Sequence, residues 1–283
     1  MKQRIITALI LAPLAIAAIF FLPLKFFMLF AAGIFLLASK EWAGFVSKPP
    51  SSAILYIFGL ILGITLMLMP VGTIWEADLA NQYITSGLSI AAVWWCVALV
   101  MVLRYPTSAT LWRNSKIVKS LFGLLTLVPF FWGLVVLRSV NMEQDFYFGA
   151  QLVMYVCLLV WAADSGAYFA GKQFGKHKLA PNVSPGKTIE GLIGGLISAT
   201  AVAYFASSYF AISADKMAIF FAASIITTLV SALGDLTESI FKREAGLKDS
   251  SNLLPGHGGI LDRIDSLTAA VPVFALIYIY WLM

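Results

Sequence analysis

The sequence predicts an all-α, polytopic integral membrane protein with about nine transmembrane helices and a cytoplasmic N-terminus. Three observations carry this. The 283 residues are 60% hydrophobic and only 12% charged, at a mean hydropathy of +0.90, whereas soluble globular chains carry about 25% charged residues. The apolar residues are gathered into runs of about 20, the length that crosses a hydrocarbon core of ~30 Å. Of the nineteen Lys and Arg residues, sixteen fall on one side once those runs are drawn as spans, which is the positive-inside asymmetry. No stretch is polar enough for a separate soluble domain, so residues 1–283 read as one transmembrane domain. Helices within about 1–140 are peripheral in it, and those within about 148–283 hold its clustered charges.

Met1 to Arg4 is a basic head, after which apolar segments run over about 5–24, 26–46, 53–74, 83–103, 119–140, 148–171, 191–213, 217–240 and 264–282. Only Leu22-Pro23-Leu24-Lys25 separates the first two, which predicts a tight hairpin or a bent pair. A cleavable signal at 1–24, with Ala15-Ile16-Ala17 as its small-residue site, is the alternative, but the apolar stretch is long for one. A cytoplasmic N-terminus puts Lys2, Arg4, Lys40, Lys48 and the bases of 104–119, 172–187 and 242–263 inside. Lys25, Arg138 and Lys216 are left outside with Glu76, Asp78, Glu143 and Asp145. The net charge of +5 therefore reports topology and argues for no nucleic-acid partner. The four bases of 104–119, with Tyr105 and Trp112, suit either a segment lying on anionic headgroups or ordinary inside charge, and the second is simpler. Cys96 and Cys157 lie in apolar runs and read as small hydrophobes. Gly191, Gly194, Gly195 and Ala199 form a small-residue stripe for close helix packing, within the chain or across a homodimer.

The chain departs from this oily pattern over Ser231–Ser266, which holds six of the fourteen acids, four bases and His257. Asp235, Glu238, Ser239 and Lys242 stand at i, i+3, i+4 and i+7, one face of a helix that continues an apolar run. A loop with Lys248-Asp249 and Pro255-Gly256-His257-Gly258-Gly259 leads into a second helix, whose first turns hold Asp262, Arg263 and Asp265. Ionisable groups are expensive at membrane depth, so such a cluster reads as a functional site. Carboxylates from two helices beside Lys and Arg suit a magnesium–polyphosphate complex, because oxygen ligands take the hard cation and bases neutralise the remaining charge. A second informative stretch, 161–190, places Asp164 in an apolar run near Ser165, Tyr168 and Lys172, with Lys187 and Glu190 beyond. One reading lines the site with Lys187 on phosphate and Asp164 or Glu190 in support; the other pairs a buried Asp164 with a neighbouring helix's base. Lys172, Lys176 and Lys178 read as topology charges, and His177 has no partner to name.

The spacing Ser239, Lys242-Arg243, Lys248-Asp249, Pro255-Gly256-His257-Gly258-Gly259, Asp262-Arg263, Asp265 resembles the signature of the phosphatidate cytidylyltransferases (CDP-diacylglycerol synthases), with no departure at its thirteen positions. Ser184-Pro185-Gly186-Lys187-Thr188-Ile189-Glu190-Gly191 resembles a second stretch of that family. The resemblance implies transfer of a cytidylyl group from CTP to phosphatidate in a bacterial inner membrane, with the site on the cytoplasmic side. It implies Mg²⁺ as cofactor, the presence of a second cation being left open, and membrane lipids as surroundings. Asp235 and Asp262 are its expected ligands. Asp249 and Asp265 would ligate or orient Lys248 and Arg263, while Lys242, Arg243, Lys248 and Arg263 contact phosphates. Ser239, Gly258, Gly259 and Lys187 are expected against substrate, His257 donates to a phosphate or braces its loop, and Glu238 supports the group from behind.

Three other functions fit the hydropathy. A transporter would show internal repeats, and none is found. A CTP-using lipid kinase would need a base beside a hydroxyl. A CDP-alcohol phosphotransferase would carry its own Asp-Gly and Ala-Arg pattern, which is absent here.

Overall fold

The computed structural model describes residues 2–76 and 79–283, without the side chains of residues 2–6, 8 and 76. Lys2, Arg4, Glu76 and Asp78, counted above among the topology charges, lie outside what is described.

Among the described residues nine α-helices follow one another: α1 Lys2–Phe21, α2 Leu24–Val46, α3 Ser52–Leu68, α4 Gln82–Leu103, α5 Lys116–Ser139, α6 Phe148–Phe174, α7 Ile189–Tyr209, α8 Ala214–Glu244 and α9 Leu261–Ile277. Two minimal antiparallel ribbons interrupt them, β1 Trp75–Glu76 with β2 Leu79–Ala80, and β3 Lys178–Ala180 with β4 Ser184–Thr188. Helix α1 stops at the Leu22-Pro23 step, as its sequence requires, because proline disfavours helical backbone in the residue before it. Among the described residues seven helices are long and apolar enough to cross a membrane, the last of them α9 with its continuation to Leu282. The expected end of the third apolar segment is corrected at α3. Pro70 follows its C-cap, Met69, and ends it at 17 residues, a rise of about 26 Å, where the apolar run had suggested 53–74.

Contacts between helix ends divide the molecule into two faces. At one face, Thr7 of α1 donates to Pro255 O at 3.2 Å, Lys119 Nζ at the start of α5 donates to Phe45 O at 3.0 Å, and Tyr105 beyond α4 donates to Glu244 of α8 at 2.9 Å. At the other, Arg138 of α5 is fully buried and donates to Ile19 O at 2.7 Å and to Leu22 O and Phe146 O at 3.2 Å. Lys216 donates there to Leu282 O at 3.1 Å and Met283 O at 2.6 Å. Arg138 and Lys216, two of the three bases assigned outside, thus cap helix ends.

The first face is locked by aromatic packing. Trp42 of α2 and Trp112 of the 104–115 connection sit on Phe241 of α8, with ring centroids 4.9 and 4.8 Å apart. That connection lies folded against α8, and burial followed by the Glu244 bond pushes the Tyr105 hydroxyl up to about 12. The glycine stripe packs within the chain, against α6. A Cβ on Gly195 would stand 2.7 Å from Ala163 O, and one on Gly166 of α6 would stand 2.6 Å from Gly194 O. Cys157 is buried, Cys96 is exposed, and both are free thiols.

Candidate active site

Helix α8 runs unbroken to Glu244 and carries Asp235, Glu238, Ser239 and Lys242 out of the apolar slab on one face. Helix α9 crosses it closely at Gly234, where a Cβ would meet Asp265 O at 2.6 Å. The first N–H groups of α9 have no cap from Ile260, the residue before it. Glu41 of α2, itself buried, supplies one. Its Oε2 accepts from Leu261 N at 2.7 Å and its Oε1 from Ile260 N at 3.0 Å. Ser251 Oγ donates to Glu41 Oε1 at 2.6 Å. Ser250 Oγ lies 3.0 Å from Glu41 Oε2 and 2.8 Å from Asp262 Oδ2, so one proton serves two carboxylates. A carboxylate at a helix N-terminus is also favoured by the helix dipole.

Asp262 completes the loop. Its Oδ2 accepts from Gly259 N at 2.7 Å and Ser250 N at 2.8 Å, and its Oδ1 faces Lys242 Nζ at 2.8 Å. Lys242 is held from the other side by Glu238 at 2.9 Å. The two glycines are sterically required. Gly258 has φ +82° and its Cβ would stand 2.6 Å from Asp262 Oδ2; a Cβ on Gly259 would stand 2.5 Å from Glu41 Oε2.

Beside this braced loop lies a cavity of about 400 Å³ between α6, the β3–β4 ribbon, α7 and α8. Asp164, Lys187 and Asp235 line it together with Tyr168 and Lys172. Lys187 Nζ reaches across to Asp235 Oδ2 at 2.7 Å, and Ser239 Oγ touches Asp235 Oδ1 at 3.3 Å. Asp265 and Asp164 are both near enough to Asp235 to interact with it electrostatically. The two informative stretches of the sequence therefore meet at one ion pair.

The chain matches the model of the family described as "Cytidylyltransferase family" over residues 2–281. It is 43% identical over 285 residues to a phosphatidate cytidylyltransferase of Haemophilus influenzae, covering 99% of both chains. It is 43% identical to one of Pseudomonas aeruginosa, covering 97% of this chain and 96% of that one, and 33% identical to one of Bacillus subtilis, covering 100% and 97%. The chain belongs to the cytidylyltransferase family.

In this cytidylyltransferase the structure gathers Asp164, Lys187, Asp235, Ser239, Glu238, Lys242, Asp262 and Asp265 into one group. It separates Glu190, which was expected beside Lys187. Glu190 turns to the ribbon instead, where it meets His177 Nδ1 at 2.6 Å and accepts from Lys176 N at 3.1 Å. That contact is local stitching of the α6–α7 connection. Arg243 and Arg263 hold backbone, donating to Val183 O at 3.3 Å and His257 O at 2.7 Å. Lys248 and Asp249 are exposed on the loop. His257 braces the loop through its carbonyl, while its Nδ1 is buried with no partner among the described residues. Sequence reasoning missed Glu41 and Ser250. The signal for Glu41 was there: it is the first acid in the chain and stands near the end of an apolar helix.

The donor set fits a hard cation that arrives with a polyphosphate. Among the described residues no three His, Cys, Asp or Glu side chains form a preformed metal cage. Magnesium on a nucleotide needs only one or two carboxylates, the phosphates and waters supplying the rest. Asp235 is open to the cavity and loses only Lys187 when it takes a cation. Asp262 is more committed: a carboxylate has about four lone-pair positions, and three donors plus Lys242 already use them.

Proposed function

We infer that this chain transfers the cytidylyl group of CTP to phosphatidate, releasing pyrophosphate and leaving CDP-diacylglycerol for membrane phospholipid synthesis. The observation that carries the reading is the Lys187–Asp235 pair inside a cavity at the polar end of α8. It provides one group for a phosphate and one for a cation, at a depth where a lipid headgroup and a nucleotide can meet.

A phosphatidate phosphate oxygen is already anionic and attacks the α-phosphorus of CTP. A bond forms between that oxygen and the α-phosphorus, the bond from the α-phosphorus to the bridging oxygen breaks, and its electron pair leaves on pyrophosphate. No protein nucleophile is needed, and the barrier is dominated by bringing anions together. Lys187, in the cavity wall, and Lys242, about two turns beyond Asp235 on α8, would neutralise phosphate oxygens as they approach. Glu238 and Asp262 hold Lys242 in place from two sides, and Gly258 and Gly259 let the loop backbone close round the carboxylate that orders it. Magnesium, when bound, would supply charge neutralisation across the triphosphate and polarise it toward leaving. Asp235 would hold it, and Asp262 would join only by giving up a present donor, Lys242 on its Oδ1. Positive-inside charge supports a bacterial inner-membrane protein with this face in the cytoplasm, where CTP is made available.

The test is purified protein in micelles with α-³²P-CTP, phosphatidate and Mg²⁺. Label is expected in the lipid phase, dependent on phosphatidate and abolished by EDTA. Label entering lipid only from γ-³²P-CTP would replace this reading with a kinase. Lys187→Ala is expected to raise KM for CTP or for phosphatidate by about tenfold, one charge-assisted contact being worth roughly 1.5–3 kcal/mol. Two unchanged KM values would take β4 out of the site.

A further inference from the structure

A second cavity, of about 570 Å³, lies between α4, α7 and α8 against the same ribbon, and its lining is almost wholly aliphatic. Its floor is the buried set Val102, Leu233 and Leu236. Its open edge is Leu99, Leu103 and Leu229, which are 46%, 73% and 42% exposed. The β3–β4 turn, Pro181 to Val183, roofs it at the polar face, held there by the Arg243 bond to Val183 O. Leu179, Leu192 and Ala232 line both this cavity and the one that holds Lys187 and Asp235, so a single layer of side chains separates a charged chamber from an oily one.

We propose that this groove seats an acyl chain of the lipid substrate while its phosphate occupies the Lys187 chamber. The proposal rests on the cytidylyltransferase reading and adds to it the place where the substrate's tail is held. The depth is right. Leu229 to Leu236 spans about two turns of α8, a rise of about 10 Å, directed from the charged end of the helix toward its middle. The exposed leucines of α4 and α8 lie within membrane-spanning helices and face hydrocarbon. One molecule with an anionic head and a long apolar tail fits both chambers at once, and in a bilayer that molecule is a phospholipid.

Leu99 and Leu229 line the groove and not the chamber, so Leu99→Trp and Leu229→Trp fill it from opposite walls. Each is assayed with dioleoyl and with dihexanoyl phosphatidate at fixed surface dilution in mixed micelles. The expected result is a rise of about tenfold in KM for the dioleoyl substrate, with KM for dihexanoyl phosphatidate and for CTP within about twofold of wild type, because only the longer chain loses its apolar contact. Retained turnover of the short lipid also shows that the variant is folded. Equal losses with both lipids in both variants, or no loss with either, overturn the proposal. Loss of a dimer with unchanged chain-length dependence overturns it in favour of an interface between copies. Failure of the underlying reading looks different, since wild-type protein would then label neither lipid.

Discussion

Asp235→Asn is expected to lower cytidylyl transfer by at least about 10³-fold, while the protein inserts, purifies and melts close to wild type. The two halves of that expectation come from different magnitudes. The Lys187–Asp235 pair is partly open to the cavity, and ion pairs that water or headgroups can reach contribute about 0–1 kcal/mol. Removing its charge therefore costs little in folding. In the proposed reaction the same carboxylate would hold the cation that brings two anions together, and loss of charge stabilisation of that kind costs at least about 10²–10³. Asn keeps the shape and the Ser239 contact, so the loss reads charge alone. Asp262→Asn makes the contrast. It also removes activity, but an amide cannot accept from both Lys242 and the backbone at Gly259 and Ser250, so stability falls with it. The measurement is α-label transfer beside a thermal midpoint for both variants. Activity of Asp235→Asn within tenfold of wild type would remove it from the chemistry.

The parts of this molecule that were legible in sequence are those set by short-range rules. Apolar runs gave most helix ends to within a few residues, the end of α3 excepted, because a span has a required length, and Pro23 marked a break because proline imposes one. The face carrying Asp235, Glu238, Ser239 and Lys242 followed from helical spacing, and its members do meet. Where reasoning along the chain fell short, the partner lies far away, as for Arg138 and Glu41, or in irregular backbone, as for Glu190 and Asp262. Nothing local says that Glu190 prefers His177 to the chamber, since both choices satisfy a carboxylate at the start of a helix. Asp262 was expected as a free ligand because its loop donors, Ser250 N and Gly259 N, belong to backbone whose path no periodicity describes. Arg138 was counted as an external topology charge, yet its guanidinium is wholly buried on carbonyls more than a hundred residues earlier. Glu41 is the largest omission: its nearest loop partner is 209 residues on.

Glu41→Ala is expected to disorganise the signature loop and reduce transfer by about 10²-fold or more, although Glu41 lines neither cavity. Four donors converge on this carboxylate: Ser250 Oγ, Ser251 Oγ, Ile260 N and Leu261 N. A buried donor left without its acceptor costs about 1–3 kcal/mol, and donors that share one acceptor do not add in full. A net loss of about 3–5 kcal/mol is enough to free residues 249–260 from α2 and to fray the start of α9, but not to unfold a chain whose helices are held by their own packing. The consequence for chemistry runs through Asp262. Its Oδ2 depends on Ser250 and Gly259, and its Oδ1 positions Lys242. Once the loop loosens, Lys242 has only Glu238 to hold it. Glu41→Gln should fall between Ala and wild type, because the amide oxygen still accepts two bonds while its NH₂ opposes the remaining donors. Helicity should be unchanged in both variants, and trypsin should cut after Lys248 faster in the order wild type, Gln, Ala. Wild-type kcat/KM in Glu41→Ala, with Lys248 equally protected, would mean that the loop holds its shape without α2 and that Glu41 only caps a helix. Loss of activity that tracks loop cleavage, at constant helicity, would place the ordering of the active site in a residue of the N-terminal half.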